Sequence, residues 1–81
     1  MNLRLTDHAK DVIVERRLKM SWIYHAVEHS EIKEDPGDGT IHYLARISER
    51  GNLVLRVIVN PKVQLPCVVT AFFDRRMKGK L

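Results

Sequence analysis

Two histidines four residues apart, His25 and His29, stand with Glu28 in the string H-x-x-E-H. At that spacing both imidazoles share one face of a helix, as they do in the inverted zinc proteases, where they hold Zn²⁺. Those enzymes are far larger and take a third carboxylate ligand from a distant segment, whereas only 52 residues follow His29. The expectation is therefore two histidines on an exposed or partly covered helix face, with no metal and no other cofactor. His8 falls in the first turn of an expected helix, which makes it a candidate general base. The single cysteine, Cys67, cannot close an internal disulfide. It has no basic neighbour and lies on an apolar strand face, so it reads as a buried structural thiol. Arg75, Arg76, Lys78 and Lys80 form a basic end of the kind that binds phosphates without reading sequence. A frayed, solubilising terminus is the other reading of that end. No nucleophile elbow, P-loop or dinucleotide fingerprint is present.

The elements that must carry these residues follow from periodicity. Thr6 to Arg17 is helical, with Thr6 as N-cap, Asp7 at the positive end of the helix dipole, and Ala9, Val12, Ile13 and Arg16 on one stripe. A second helix runs from an N-cap at Ser21 to about Ser30. Glu34 to Gly39 is a turn cluster without the ligand spacing of a calcium loop. Alternation with period two then predicts strands over about 40–48, 53–60 and 65–74, with a turn at Asn60-Pro61-Lys62. The expected architecture is a single α+β domain over 1–81, with two N-terminal helices packed on one face of a three- to four-stranded antiparallel sheet. A three-residue loop, Arg50-Gly51-Asn52, would pair Ile47 with Leu55, Ala45 with Val57 and Tyr43 with Val59, keeping all apolar residues on one face. A two-residue loop, Gly51-Asn52, would set Arg56 against Ile47 and mix the faces. The three-residue loop puts Arg46 directly opposite Arg56. Like charges so placed repel unless an anion bridges them or both splay into water. The second face would carry His42, Leu44, Arg46, Val54, Arg56, Ile58, Val68, Thr70 and Phe72, suited to a phosphate backbone with stacked bases or to a covering protein.

The charge is uneven. Residues 1–39 hold six Lys/Arg and eight Asp/Glu, while residues 40–81 hold eight and two, so the second half carries +6 of an overall +4. A basic half on a small domain attracts polyanions. No apolar run approaches a membrane span, no signal-peptide core follows Met1, and a lone cysteine does not suit a small secreted domain. A bacterial or phage cytoplasm is the expected compartment.

The opening His8-Ala9-x-x-x-Ile13-x-Glu15-Arg16-x-Leu18, followed by Ser21, resembles the start of a bacterial domain-of-unknown-function family, H-A-x-x-R-[ML]-x-x-R-x-[IL]. The closing Val68-Val69-Thr70-Ala71-Phe72-Phe73-Asp74-Arg75-Arg76 resembles its last strand and basic tail. That family is similar to the RelE- and BrnT-like toxins of the barnase–EndoU–colicin–RelE fold. The resemblance implies an RNA-directed, metal-independent endoribonuclease paired with an antitoxin-like protein. His8 would be the acid/base residue, Arg56 a basic residue of a central strand and Thr70 the threonine of the last strand. Arg46 would join Arg56 in a phosphate clamp, and the tail would hold flanking RNA. Val12 stands where the family often carries arginine. The alternative is a non-catalytic RNA- or ribosome-binding or protein-interaction module of the same fold.

Overall fold

The computed structural model describes residues 2–62 and 65–81. Thr6 opens the first helix, α1 (Asp7–Glu15), as its side chain allows. Its Oγ1 accepts from the Ala9 N–H at 3.0 Å and donates to the Val69 carbonyl at 3.1 Å. One hydroxyl thus caps the helix and pins it to the last strand. Ala9, Val12 and Ile13 are the buried stripe, and Arg16 crosses the end of it to donate from Nη1 to the Ala71 carbonyl at 2.8 Å.

The helix ends in a Schellman pattern. The Leu18 N–H bonds the Ile13 carbonyl, the Arg17 N–H bonds the Val14 carbonyl, and Leu18 is buried. Arg17 occupies the left-handed position with φ 56°, where a side chain is strained and glycine is not. Arg17→Gly is therefore expected to raise stability by about 0.5–1 kcal/mol, seen as a higher urea midpoint at unchanged slope. A lower midpoint would refute the strain assignment.

The second helix, α2 (Met20–Glu28), has its N-cap two residues earlier than expected. Its N-cap is Lys19, without a side-chain bond, so Ser21 is not the cap but a residue of the first turn. Trp22, Ile23, Ala26 and Val27 face inward.

Five strands follow the order β1-β5-β4-β3-β2: β1 (Arg4–Leu5), β2 (Ile32–Glu34), β3 (Ile41–Ile47), β4 (Leu53–Asn60) and β5 (Cys67–Phe73). Four neighbours would be antiparallel in an all-antiparallel sheet, but β1 pairs parallel with β5. The expected three- to four-stranded antiparallel sheet is thus corrected to a five-stranded mixed one. The two added strands are two and three residues long, too short to display alternation. The helices do lie on one face. Ile13, Leu18, Trp22, Ile23, Ala26 and Val27 pack with Ala45, Ile47, Leu55, Val57, Val59, Val68 and Ala71. Among the described residues no helix is long and apolar enough to cross a membrane.

Two local details move side chains from their expected places. The β3–β4 loop has five residues, so Ile47 pairs with Leu53, Ala45 with Leu55 and Tyr43 with Val57. Ser48–Arg50 forms a 3₁₀ turn, and Gly51 and Asn52 both adopt positive φ, 64° and 63°. This register differs from the expected one by two residues, which leaves every side chain on its face. The second detail is a bulge in β5: Ile58 pairs with Thr70, but Val59 pairs with Val68. The extra residue reverses the alternation. Val68 consequently enters the helix-side core, while Cys67, expected in that core, pairs with Asn60 and is only half-buried.

Candidate functional site

The expected arginine clamp is taken apart by the register. Arg46 lies opposite Val54, while Arg56 lies opposite Leu44 on one side and Phe72 on the other. Both arginines are also committed to carboxylates. Arg56 is 7% exposed. Its Nε donates to Asp74 Oδ2 at 2.8 Å, and its Nη1 donates to Glu34 Oε1 at 2.6 Å and to His42 Nδ1 at 2.8 Å. A guanidinium has no acceptor, so in this contact the His42 Nδ1 accepts and the ring proton sits on Nε2. Asp74 is also buried, and it binds Arg76 as well: Nε and Nη2 at 3.0 Å and the backbone N–H at 3.1 Å. The Arg76 side chain, followed by Arg56, holds the Asp74 carboxyl down to about 2 against the opposing effect of burial. A buried arginine so compensated ties β2, β3, β4 and the tail together and has no charge left for a phosphate.

Arg46 is exposed and forks onto Glu31, with Nη2 to Oε1 at 2.6 Å and Nε to Oε1 at 3.0 Å. The Arg46 backbone N–H adds a bond to Oε2 at 2.8 Å. These bonds hold the Glu31 carboxyl below the usual range. Arg46 Nη1 makes no hydrogen bond among the described residues. His8 is an exposed residue of α1, on the helix side. Thr70 pairs with Ile58 and alternates with the core residue Ala71, which sets it on the face away from the helices. No hydrogen bond joins His8 to Arg56 or Thr70 among the described residues. That second face is not an open surface either, because Leu44, Val54 and Arg56 on it are buried.

The structure gathers a different set of residues, at the end of the sheet where β3 turns into β4. Trp22 and Phe73 meet edge to face, with centroids 6.0 Å apart and planes at 65°. The Arg50 guanidinium lies 5.0 Å from the Phe73 centroid and 5.8 Å from that of Trp22. The Trp22 indole N–H donates to Glu49 Oε1 at 3.1 Å, and Glu49 Oε2 takes Lys19 Nζ at 2.7 Å. Two depressions flank this loop and share Asn52. The smaller, about 220 Å³, runs between the loop and the tail, with Arg75 and Lys78 on its rim. Arg50, Arg75, Lys78 and Lys80 are exposed and form no ion pair among the described residues. The larger, about 650 Å³, lies between α2 and the end of β3 and is lined by Ser21, His25, His29, Arg46 and Ser48 among others. The two imidazoles are 5.6 Å apart, centroid to centroid.

The helical spacing of His25 and His29 was visible in the sequence. The cleft they line was not, because its far wall comes from Ile47 to Asn52. The tail likewise splits: Arg76 is tied to Asp74, while Arg75, Lys78 and Lys80 form no ion pair among the described residues. Among the described residues no three of His, Cys, Asp and Glu converge as a metal site.

The fold and this end of it define a small α+β domain, two helices on a five-stranded mixed sheet, with a basic, aromatic-backed loop beside a histidine-lined cleft. The chain belongs to the family described as Domain of unknown function (DUF4258), whose model matches residues 5–73. No curated protein and no solved structure matches it.

Proposed function

We propose that this domain is an RNA-directed protein that binds a single strand at its loop-and-tail end. One observation carries the proposal: Arg75 and Lys78 line one depression beside the β3–β4 loop, Arg50 of that loop lies 5.0 Å from the Phe73 centroid, and none of the three forms an ion pair among the described residues. Such cations supply attraction to a phosphate backbone, and a guanidinium held near aromatic rings can offer its edge to phosphate or its plane to a base. The charge asymmetry of the chain points the same way, as does the resemblance of its two ends to a family that is itself similar to the RelE- and BrnT-like toxins. Metal-independent cleavage is the catalytic extension of this reading. Binding comes first because no hydrogen bond joins His8 to Arg56 or Thr70 among the described residues.

Fluorescence anisotropy with a labelled RNA oligomer tests it. Three phosphate contacts give a log–log salt slope of about −2 for a single strand. Replacing Arg50, Arg75 and Lys78 together by Glu should abolish binding at low salt, while circular dichroism stays unchanged because all three are exposed. Binding that survives the triple change would sink the proposal. Incubation of the same RNA with chelator separates a binder, which leaves it intact, from a nuclease, which does not.

A further inference from the structure

We propose that the cleft between α2 and the end of β3 is a binding site for a phosphate group, held by the protonated rings of His25 and His29 together with Nη1 of Arg46. The site is separate from the loop-and-tail surface, and nothing in the proposal requires that surface to bind RNA.

The charges facing the two rings decide which ligand fits. Glu31, ahead of β2, faces them, but both of its oxygens are bonded to Arg46. Glu49, from the loop, lies across the cleft, but its two oxygens are taken by Lys19 and by the Trp22 indole. Arg46, from β3, is balanced by Glu31. Both carboxylates are therefore hydrogen-bonded already, and a metal ion would find two imidazoles and no unbonded carboxylate, one ligand short of a catalytic zinc site and two short of a closed one. What remains can all donate: two imidazoles, Arg46 Nη1, and the Ser21 and Ser48 hydroxyls, which make no hydrogen bond among the described residues. With the rings neutral the lining, through Glu31, Glu49 and Arg46, carries one net negative charge, which Lys19 on Glu49 offsets from outside it; with both rings protonated the lining carries one net positive charge, and each ring has a directed N–H. Ring centroids 5.6 Å apart set the two imidazoles close enough together for both to serve one tetrahedral oxyanion, whose oxygens each accept at about 3 Å. The phosphate has two sources with the same chemistry, the backbone of a bound strand and a free phosphate or nucleoside monophosphate.

The four histidine ring signals of the full chain report on this directly by NMR titration. Added inorganic phosphate, against chloride at equal ionic strength, should raise the titration midpoints of His25 and His29 and leave those of His8 and His42 in place. An anion that prefers the protonated rings must shift them upward by linkage. Phosphate should bind at least about tenfold more tightly near pH 5.5 than near pH 8. His25→Gln with His29→Gln should lose that pH dependence without unfolding, since both side chains are exposed. The Arg50, Arg75 and Lys78 triple variant should keep phosphate binding, so failure of the RNA reading and failure of the cleft are told apart. If an RNA oligomer moves the same two midpoints and inorganic phosphate competes with it, the group is the strand's own; if only inorganic phosphate or a nucleoside monophosphate does so, the ligand is small. Absence of a phosphate-specific shift at His25 and His29 overturns the proposal. So does zinc lowering both midpoints while phosphate leaves them unmoved.

Discussion

Asp74→Ala is expected to cost the fold about 3 kcal/mol, read as a drop in the urea midpoint with little change in slope. The residue is 4% exposed and lies against Arg56, itself 7% exposed. Removing the carboxylate leaves a buried guanidinium with Glu34, 45% exposed at its side chain, as its remaining acidic partner. A buried ion pair adds little over an apolar substitute, but half of one is expensive, because the surviving charge keeps its desolvation cost without its partner. For a chain of 81 residues, with a total stability of about 4–12 kcal/mol, such a loss approaches the limit of folding. Arg76→Ala provides the contrast. Its side chain is 79% exposed, so its pair with the same carboxylate should contribute under about 1 kcal/mol. Arg56→Met combined with Asp74→Ala should cost less than the sum of the single changes, because it removes both buried charges at once. Equal effects of Asp74→Ala and Arg76→Ala would show that the Arg56 pair is not the seat of the stability.

The same carboxylate sets an acid limit. Its pKa falls from an ordinary 3.8 to about 2 in the folded chain. A depressed carboxylate stabilises above its unfolded value and loses that contribution as pH falls through its folded one. Stability should therefore decline from about pH 4 and lose about 2 kcal/mol from this group by pH 2 and below. Asp74→Asn should flatten that part of the profile. A profile unchanged by the substitution would assign acid unfolding to other groups.

Much of the scaffold was legible because it rests on long periodic runs. The stripe Ala9, Val12, Ile13, the inward set Ile23, Ala26, Val27, and the alternation along β3 and β4 all recur in the structure. What escaped the pattern has physical causes. A register offset of two residues is invisible to any argument from faces, since it preserves them; only the paired left-handed residues Gly51 and Asn52 set the loop length. The β5 bulge inserts one residue without a compositional mark and reverses Cys67 and Val68. Asp74, read as part of a basic tail, has its buried partner 18 residues earlier on another strand. The guanidinium pair expected to await an anion already has its anions, and they come from the acidic half of the chain and from the tail. The cations that form no ion pair among the described residues include Arg50, beside a turn and two aromatic rings, and Arg75, Lys78 and Lys80 of the tail.

Trp22 joins that free surface to the core, and its removal should be at least as costly as that of Asp74. The indole is 6% exposed and packs in the main cluster with Ile23 and Ala26 from its own helix. It also meets the Phe73 ring edge to face. Truncating a buried tryptophan to alanine costs about 3–5 kcal/mol, from lost transfer energy and the cavity left behind. Trp22→Phe separates the packing from the rest. It keeps most of the apolar volume but removes the N–H that fixes Glu49, and with it the wide face near which Lys19 and Arg50 lie, at 5.5 and 5.8 Å. Stability should fall by about 1–2 kcal/mol. A cation–π contact of about 0.5–1 kcal/mol holding Arg50 in place converts to about a two- to fivefold loss of RNA affinity. If Trp22→Phe weakens folding but leaves RNA affinity untouched, Arg50 does not owe its placement to the indole. If it weakens affinity in a variant already lacking Arg50, the indole acts through some other group. Loss of affinity in the presence of Arg50 alone would tie the basic loop to the core through this one side chain.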